Sequence, residues 1–178
     1  MNKGPYTVTS SKQIYQNPWI TVQEDTVIRP DGKEGIFTTV DNGTGVSVVA
    51  LDKENNIYLV KEYFYVLSEY GIQTPSGGVD DGETPLQAAQ KELLEETGLV
   101  ASTWHELGMV NALTMIIRSP SYLFIAQEVE QKQEPEEGIE VIKMPFIKAF
   151  EMVMKSEITH GPSCVAILKA KEFIRQAK

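Results

Sequence analysis

The chain has 178 residues, of which 42% are hydrophobic, and it carries a formal net charge of −9. This length and apolar content suffice for one domain with a continuous hydrophobic core and a small appendage. The acidic balance argues against nucleic acid as a partner, because binding a phosphate backbone needs clustered Lys and Arg. An acidic protein that handles phosphates needs a local device, either a metal ion or a set of backbone amides, to offset its own charge.

The cellular setting is indicated by what the sequence lacks. Cys164 is the single cysteine, so no intrachain disulfide can form within these residues, which favours a reducing compartment. Residues 1–10 are polar, and no stretch approaches the uninterrupted apolar length of a membrane span. We therefore expect a cytoplasmic protein with no membrane partner.

The first 44 residues are predicted to form a β-rich segment. Residues 19–29 and 35–40 are strand-like runs, and the Asp-Gly pair within residues 30–33 indicates a hairpin turn between them. Residues 41–45, Asp-Asn-Gly-Thr-Gly, then break the pattern. We place the boundary between the N-terminal segment (1–44) and the main domain (45–178) there.

The main domain opens with a second predicted hairpin and a helix. Strand-like runs at 46–52 and 57–65 are connected by residues 53–56. After a glycine-rich loop, helix signals converge: Thr84 as N-cap, Pro85 in the first turn, Gln87 completing a capping box and Gly98 just past the end.

The remaining elements alternate between strand and helix patterns. Strands are predicted at 104–110 and 122–130, an acidic loop at 131–138 and an apolar run at 139–144. Helices are predicted at roughly 146–155 and 163–177. The second has an apolar stripe formed by Ala166, Ile167, Ala170, Phe173, Ile174 and Ala177.

Three glutamates on the central helix carry the chemical interpretation. Glu92, Glu95 and Glu96 stand at i, i+3 and i+4, so their carboxylates project near one another, while Leu86, Ala89 and Leu93 mark the predicted core-facing stripe. The plain alternative is a solvated acidic face. However, like charges at this spacing near a helix C-terminus are unfavourable, and a hard divalent cation such as Mg²⁺ would reverse that penalty.

The loop before this helix has glycines that allow a tight path. Gly77 and Gly78 would let backbone groups approach a ligand closely, although many such turns are only connectors. Spacing adds the specificity. From Gly77, five residues lead to Glu83 and seven more to Lys91, which starts the run Lys-Glu-Leu-Leu-Glu-Glu-Thr-Gly-Leu.

This pattern resembles the Nudix box, G-x5-E-x7-R-E-U-x-E-E-x-G-U, where U is a bulky apolar residue. Each defined position matches except the arginine, here Lys91. The whole chain resembles the ADP-ribose and nucleoside diphosphate sugar pyrophosphatase branch of that superfamily. The resemblance implies an α/β fold, a Nudix-like α/β/α sandwich with a mixed central sheet, plus an N-terminal antiparallel β segment that serves homodimerisation.

The resemblance also implies roles for individual residues. Glu92 and Glu96 would ligate Mg²⁺ or Mn²⁺ with the Ser76 carbonyl, and Glu95 would stand beside them. Glu83 would brace the loop and helix. A later acidic loop often supplies a further metal ligand or the base, for which Glu137 is the first choice, with Glu136 and Glu134 as alternates.

The chain departs from the branch at several positions. Lys91 cannot make the bidentate contact of the box arginine with a catalytic glutamate. Residues 62–64, Glu-Tyr-Phe, replace a Gln-Tyr-Arg-like triplet whose arginine meets phosphate. Gln73 stands where a glutamate is common, two places before the loop proline, and Thr114 replaces a proline.

Other residues have weaker signals. Arg118 is a candidate phosphate or sugar contact, and its alternative is an ordinary surface arginine. Tyr63 could stack on a base, although strand aromatics more often belong to a core or an interface. His105 and His160 are too isolated for a histidine metal site and are interpreted as surface or capping residues.

The predicted function is hydrolysis of the pyrophosphate bond in a nucleoside diphosphate sugar or ADP-ribose-like small molecule, giving a nucleoside monophosphate and a sugar phosphate. A second hypothesis keeps this chemistry but takes a dinucleotide or a nucleoside triphosphate as substrate. A third is a non-catalytic nucleotide-binding module on the same fold. The intact glutamate cluster argues against the third, because a binding module has no need of such unfavourable charge.

Overall fold

The computed structural model describes residues 1–176. In chain order its elements are β1 (Asn2–Lys3), β2 (Tyr6–Gln16), β3 (Thr21–Ile28), β4 (Glu34–Asp41), β5 (Gly45–Leu51), β6 (Asn56–Phe64), β7 (Glu69–Gln73), β8 (Ser76–Gly78), α1 (Pro85–Thr97), β9 (Leu99–Asn111), β10 (Ile117–Arg118), β11 (Pro120–Gln131), β12 (Glu140–Pro145), α2 (Phe146–Met154) and α3 (Gly161–Gln176). Within residues 1–176, no helix is both long enough and apolar enough to cross a membrane.

The contacts divide the chain into two compact units. The first comprises residues 1–43 and 111–120, and the second comprises residues 44–110 and those from 121 onward. A division at residue 44 alone does not anticipate the return of residues 111–120 to the first unit. The reason is β10 in that segment, which pairs in parallel with β4.

The first unit is a five-stranded sheet in the order β1-β2-β3-β4-β10. The predicted hairpin is present as the antiparallel pair β3 and β4, and Gly32 in its turn has a φ of 80°. Strand β2 was not predicted at all. Only Tyr6 and Val8 of its eleven residues are half-buried, so it has no sustained apolar alternation to reveal it.

The second unit is built on a mixed sheet in the order β12-β6-β5-β11-β9. The predicted hairpin of β5 and β6 is antiparallel, whereas β11 runs parallel to β5 along its whole length. Strand β8 also pairs with β5, and β7 pairs with β6. These two short strands carry the chain back to the sheet immediately before α1.

Helices cover both faces of this sheet. Val48 and Ala50 of β5 belong to the core that includes Ala89 and Leu93 of α1. Their neighbours Val49 and Leu51 belong to a second core with residues of α2 and α3, among them Ala149, Ala166, Ile167 and Ala170. Because alternate residues of a strand face opposite sides, one strand serves both cores. The predicted α/β/α sandwich is confirmed.

The predicted elements of this unit are largely correct, with one error on α1. The helix begins and ends as predicted, but Leu86 is 38% exposed and lines a surface pocket with Trp104 and Phe124. The buried stripe instead runs through Ala88, Ala89 and Leu93 to Glu96. The last helix starts two residues earlier than predicted, and Ala177 lies outside the described residues.

Candidate active site

The positions of the three glutamates are set by helix α1, which has a clear capping residue at each end. Thr84 and Gln87 form a complete capping box at its start, and Gly98, with φ 70°, ends it in the left-handed conformation. Between these caps the helix turns its three glutamates to different depths. Glu96 is buried, Glu92 is half-buried and Glu95 is exposed.

Glu96 is the most buried of the three carboxylates. It is 7% exposed, and its Oε2 accepts a hydrogen bond of 3.0 Å from the backbone N–H of Ser76. Burial, together with the charges of Glu62, Glu92 and Glu136, raises the pKa of Glu96 to about 8, although the hydrogen bond from Ser76 lowers it. The charges of neighbouring carboxylates therefore act on Glu96 together with its burial.

Glu92 lies directly against the glycine loop. A Cβ atom built on Gly77 would overlap the Glu92 carboxyl group, so the close approach depends on glycine at this position. Burial is also the largest cause that raises the pKa of Glu92. Gly78, by contrast, is exposed, and a Cβ atom there would meet open space.

Lys91 holds the loop. Its Nζ lies 2.6 Å from Oδ2 of Asp80 and 3.4 Å from Oε2 of Glu83, and the backbone N–H of Asp80 donates to the same Glu83 oxygen at 3.2 Å. These contacts raise the pKa of Lys91 above its ordinary value, first through the hydrogen bond to Asp80. The lysine thus joins the helix to the loop through Asp80 and Glu83.

The acidic loop at residues 131–138 closes the end of α1. Backbone N–H groups of Lys132 and Gln133 donate to the carbonyl of Gly98, and that of Glu136 donates to the carbonyl of Glu95 at 2.8 Å. These carbonyls would otherwise lack partners at the helix end. The charge of Glu136 is among the largest that raise the pKa of Glu96, whereas the charge of Glu137 is not.

Arg118 and Tyr63, two residues that the sequence suggested as ligand contacts, pair with residues outside the glutamate cluster. Arg118 belongs to the first unit, where its guanidinium pairs with Asp41 at 2.9 Å. Tyr63 is half exposed and makes an edge-on ring contact with Tyr70 at 5.3 Å. Neither contact includes a residue of the glutamate cluster.

Sequence reasoning treated Glu62 and Gln73 only as departures from a pattern, but they form a pair. The Gln73 side chain donates a short hydrogen bond to Oε1 of Glu62. Relative to the branch pattern, glutamine and glutamate are exchanged between these two positions. The complementary exchange was the signal that could have revealed the contact.

A buried set of hydroxyls supports the loop from behind. The backbone N–H of Thr74 donates to Ser163 Oγ at 3.0 Å, and Thr74 Oγ1 lies 3.0 Å from Ser163 Oγ and 2.6 Å from Ser47 Oγ. Ser76 Oγ in turn donates to the Thr74 carbonyl at 2.7 Å. This arrangement ties the start of α3 to the residues that hold Glu96.

The oxygens at the loop suit a hard divalent cation. Glu92 and Glu96 offer carboxylates, and the glycine at position 77 leaves the space in which Glu92 stands. Among residues 1–176, no three His, Cys, Asp or Glu side chains lie close enough to hold a metal by themselves. Mg²⁺ typically takes one or two carboxylates and fills its other positions with water, carbonyl and phosphate oxygens, and Glu92 and Glu96 can supply the carboxylates.

Comparisons with known proteins agree with this geometry. Residues 6–40 match the family model described as the nucleoside diphosphate sugar hydrolase N-terminal domain, and residues 41–159 match the NUDIX domain. An ADP-ribose pyrophosphatase of Bacillus subtilis (strain 168) is 28% identical over 95% of both chains. An ADP-sugar pyrophosphatase of Mus musculus is 28% identical over 80% of this chain and 74% of its own.

A solved structure supports the fold. A crystal structure of an ADP compounds hydrolase superposes with a TM-score of 0.86 over 99% of this chain and 98% of its own, at 17% sequence identity. The NUDIX match spans the glycine loop, α1 and the acidic loop, which together carry the glutamate cluster. The chain therefore belongs to the Nudix hydrolase family.

Proposed function

We propose that the protein hydrolyses the pyrophosphate bond of a nucleoside diphosphate derivative, with a nucleoside diphosphate sugar or ADP-ribose-like compound as substrate and Mg²⁺ or Mn²⁺ as cofactor. The observation that carries this proposal is the buried Glu96 carboxylate, held by the Ser76 N–H beside Glu92. The matched N-terminal model and the names of the similar proteins favour this substrate class over others.

In this proposal the chain's carboxylates form the cation-binding surface. Glu92, Glu96 and the Ser76 carbonyl would hold the metal, and Glu95 and an acidic-loop glutamate would stand beside them. When bound, the cation offsets charge on the phosphoryl oxygens and lowers the pKa of bound water. Lys91, together with Asp80 and Glu83, keeps the loop in position against the helix.

The reaction transfers one phosphoryl group to water. The water oxygen forms a bond to one phosphorus, the bond from that phosphorus to the bridging oxygen breaks, and the second phosphate leaves with the bridging oxygen. The water's proton passes to a carboxylate. The products are a nucleoside monophosphate and a sugar phosphate.

We assign the acidic-loop role first to Glu136, ahead of Glu137 and Glu134. Glu136 is joined to α1 through the Glu95 carbonyl, and its charge acts on Glu96. Glu137, the first choice from the sequence, lies on the same exposed segment but has no such link to the helix among the described residues.

The proposal is tested by incubating the protein with Mg²⁺ and a panel of ADP-ribose, nucleotide sugars, dinucleotides and nucleoside triphosphates. Phosphate released after phosphatase coupling measures turnover. We expect selective cleavage of the nucleoside diphosphate derivatives. In Glu96→Gln we expect a loss of about 100-fold or more, as for removal of a group that acts in the transition state.

Glu151→Gln is the matched control, because Glu151 is an exposed glutamate on α2 and the substitution is the same. It should keep wild-type turnover. Preferential cleavage of dinucleotides or nucleoside triphosphates would replace the substrate class, and no turnover with either Mg²⁺ or Mn²⁺ would favour a nucleotide-binding module.

A further inference from the structure

A pocket of about 410 Å³ opens in the second unit, where residues of β6 and β7 meet the start of α3. It is lined by Glu62, Phe64, Leu67, Gln73, Thr159, His160 and Gly161. Its volume falls in the ordinary range for small-ligand sites, and its lining combines apolar walls with a few polar groups. None of the residues assigned to the glutamate cluster is among those that line it.

The pocket adjoins the proposed reaction centre through the chain itself. Gln73 ends β7 three residues before Ser76, whose N–H holds Glu96. Three residues span at most about 10 Å. The charge of Glu62 also acts on Glu96 across this short separation. A substrate whose diphosphate lies at the glutamates can therefore extend into the pocket.

The pocket offers hydrogen-bond acceptors and no cation. Among the described residues that line it, none is Lys or Arg, and burial lowers the pKa of His160, which favours its neutral form. Glu62 Oε1 accepts from Gln73, while Glu62 Oε2 has no hydrogen-bond partner within residues 1–176. A further phosphate would meet a carboxylate there, whereas a hydroxyl group would find an acceptor.

The apolar side of the pocket is fixed by Phe64. Its ring fills the space above Gly71, where a Cβ atom would overlap it, so the ring is held on the strand pair of β6 and β7. Leu67 continues this apolar wall. A ring that presents C–H groups on one face and hydroxyls at its edge matches such a surface.

We infer that this pocket binds a neutral sugar ring through its vicinal hydroxyls, with Glu62 as the acceptor, and that it rejects an additional phosphate. Glu62 and its Gln73 partner would thus be specificity-determining residues. The inference rests on the proposed function for the position of the diphosphate. The sugar can be the terminal one or the ribose of the nucleoside, and both present the same diol.

The first test is equilibrium binding without turnover. Isothermal titration with Mg²⁺ compares the non-hydrolysable α,β-methylene analogues of ADP-ribose, ADP and 2′-deoxy-ADP, named below by their parent compounds, with the wild-type protein and Glu62→Gln. The amide introduced by this substitution can still pair with Gln73, so the fold should be kept, and a thermal melt checks this. We expect Kd for ADP-ribose to rise about 10-fold, as for loss of a charged hydrogen bond.

The arms of this titration separate the two sugars. An effect on ADP-ribose alone assigns the pocket to the terminal sugar. An equal effect on ADP-ribose and ADP, absent with 2′-deoxy-ADP, assigns it to the nucleoside ribose. No change for any ligand would overturn the inference, whether or not the protein proves to be a hydrolase.

The second test is kinetic and uses Mg²⁺. Glu62→Gln should raise KM for ADP-ribose with little change in kcat, and it should lower the selectivity for ADP-ribose over ATP. Glu140→Gln, which removes an exposed carboxylate beside β6, is the matched control. An equal fall in kcat for both substrates would place Glu62 in the chemical step and contradict a sugar-binding role.

Discussion

Glu96 occupies a position on α1 where an apolar side chain would ordinarily stand. It lies three residues after Leu93 and seven after Ala89, both fully buried, so the helix period carries it towards the core. Within residues 1–176, the hydrogen bond that compensates the carboxylate comes from one backbone N–H, that of Ser76. A buried carboxyl group with so little compensation lowers the stability of the fold, and because groups with shifted pKa values cluster at functional sites, this favours the role that we propose for Glu96.

Substitution of Gly77 tests whether the position of the Glu92 carboxylate matters for activity. A Cβ atom in Gly77→Ala would displace the Glu92 carboxylate or the loop by about 1 Å or more. Because displacements of about 1 Å in an active site can cost on the order of 100-fold in rate, we expect kcat/KM to fall by about that factor. Steady-state kinetics on the best panel substrate measures it.

Gly78→Ala is the comparison that isolates this effect. A Cβ atom at Gly78 meets no atom within 4 Å, so Gly78→Ala should lose much less activity than Gly77→Ala. Equal losses in both variants would mean that loop backbone freedom, and not the space beside Glu92, is what the glycines provide.

Helix α3 contributes to the site through the residues that precede the glycine loop. Its third residue, Ser163, is fully buried, and its hydroxyl oxygen accepts a hydrogen bond from the backbone N–H of Thr74. Strand β5 contributes Ser47 to the same set of hydroxyls. Elements from both the helical layer and the central sheet therefore fix the path of the chain into β8.

Ser163→Ala should weaken both the fold and the site. The buried N–H of Thr74 would lose its acceptor, which costs about 1–3 kcal/mol of the free energy of unfolding. Urea denaturation followed by circular dichroism measures this loss. Turnover should fall as well, because the loop that holds Glu96 would be less well fixed.

Ser102→Ala serves as control for the same chemical change. The Ser102 hydroxyl donates to Glu128 at an exposed position, so its removal should change stability by less than about 0.5 kcal/mol. A similar loss of stability in both variants would show that the Ser163 hydrogen bond contributes no more than an exposed one.

Across the whole molecule, each unit has its own carboxylate held by a lysine. In the first unit Lys3, Ser11 and Gln23 lower the pKa of Asp25 to about 2. In the second unit, hydrogen bonds from Lys143 and Asn56 outweigh the burial of Asp52 and hold its pKa below the ordinary value. Both groups favour the folded state only while they are ionised.

The pH dependence of stability should follow from these groups. A carboxyl group whose pKa is lowered by folding stabilises the protein above its ordinary value of 3.8, and this contribution is lost as the pH falls towards about 2. Asp25→Asn should therefore cost about 1 kcal/mol at pH 7. The difference from wild type should shrink between pH 4 and roughly pH 2.

Thermal unfolding at a series of pH values measures this difference. A gap between wild type and Asp25→Asn that stays constant down to pH 2 would contradict an ionised Asp25 as its source. The Asp52 contribution is present in both proteins and cancels in the comparison.

The sequence was sufficient where a local signal and the final structure coincide. Local signals such as the capping residues of α1, the Asp-Gly hairpin and the box spacing each act over a few residues. They could therefore be recognised from the sequence alone. Strand β2, the return of β10 to the first unit and the Glu62–Gln73 contact depend on pairing between distant segments. Leu86 was misplaced because helical periodicity alone does not show where the supporting sheet ends.

The backbone bonds between the end of α1 and the acidic loop have a further consequence for cooperativity. Fraying of the last helical turn would release the carbonyls of Glu95 and Gly98 and, with them, the segment that bears Glu136. Helix glutamates and loop glutamate thus share a single local unfolding equilibrium. At low denaturant concentration, inactivation should accordingly track the opening of this one helix end and precede global unfolding.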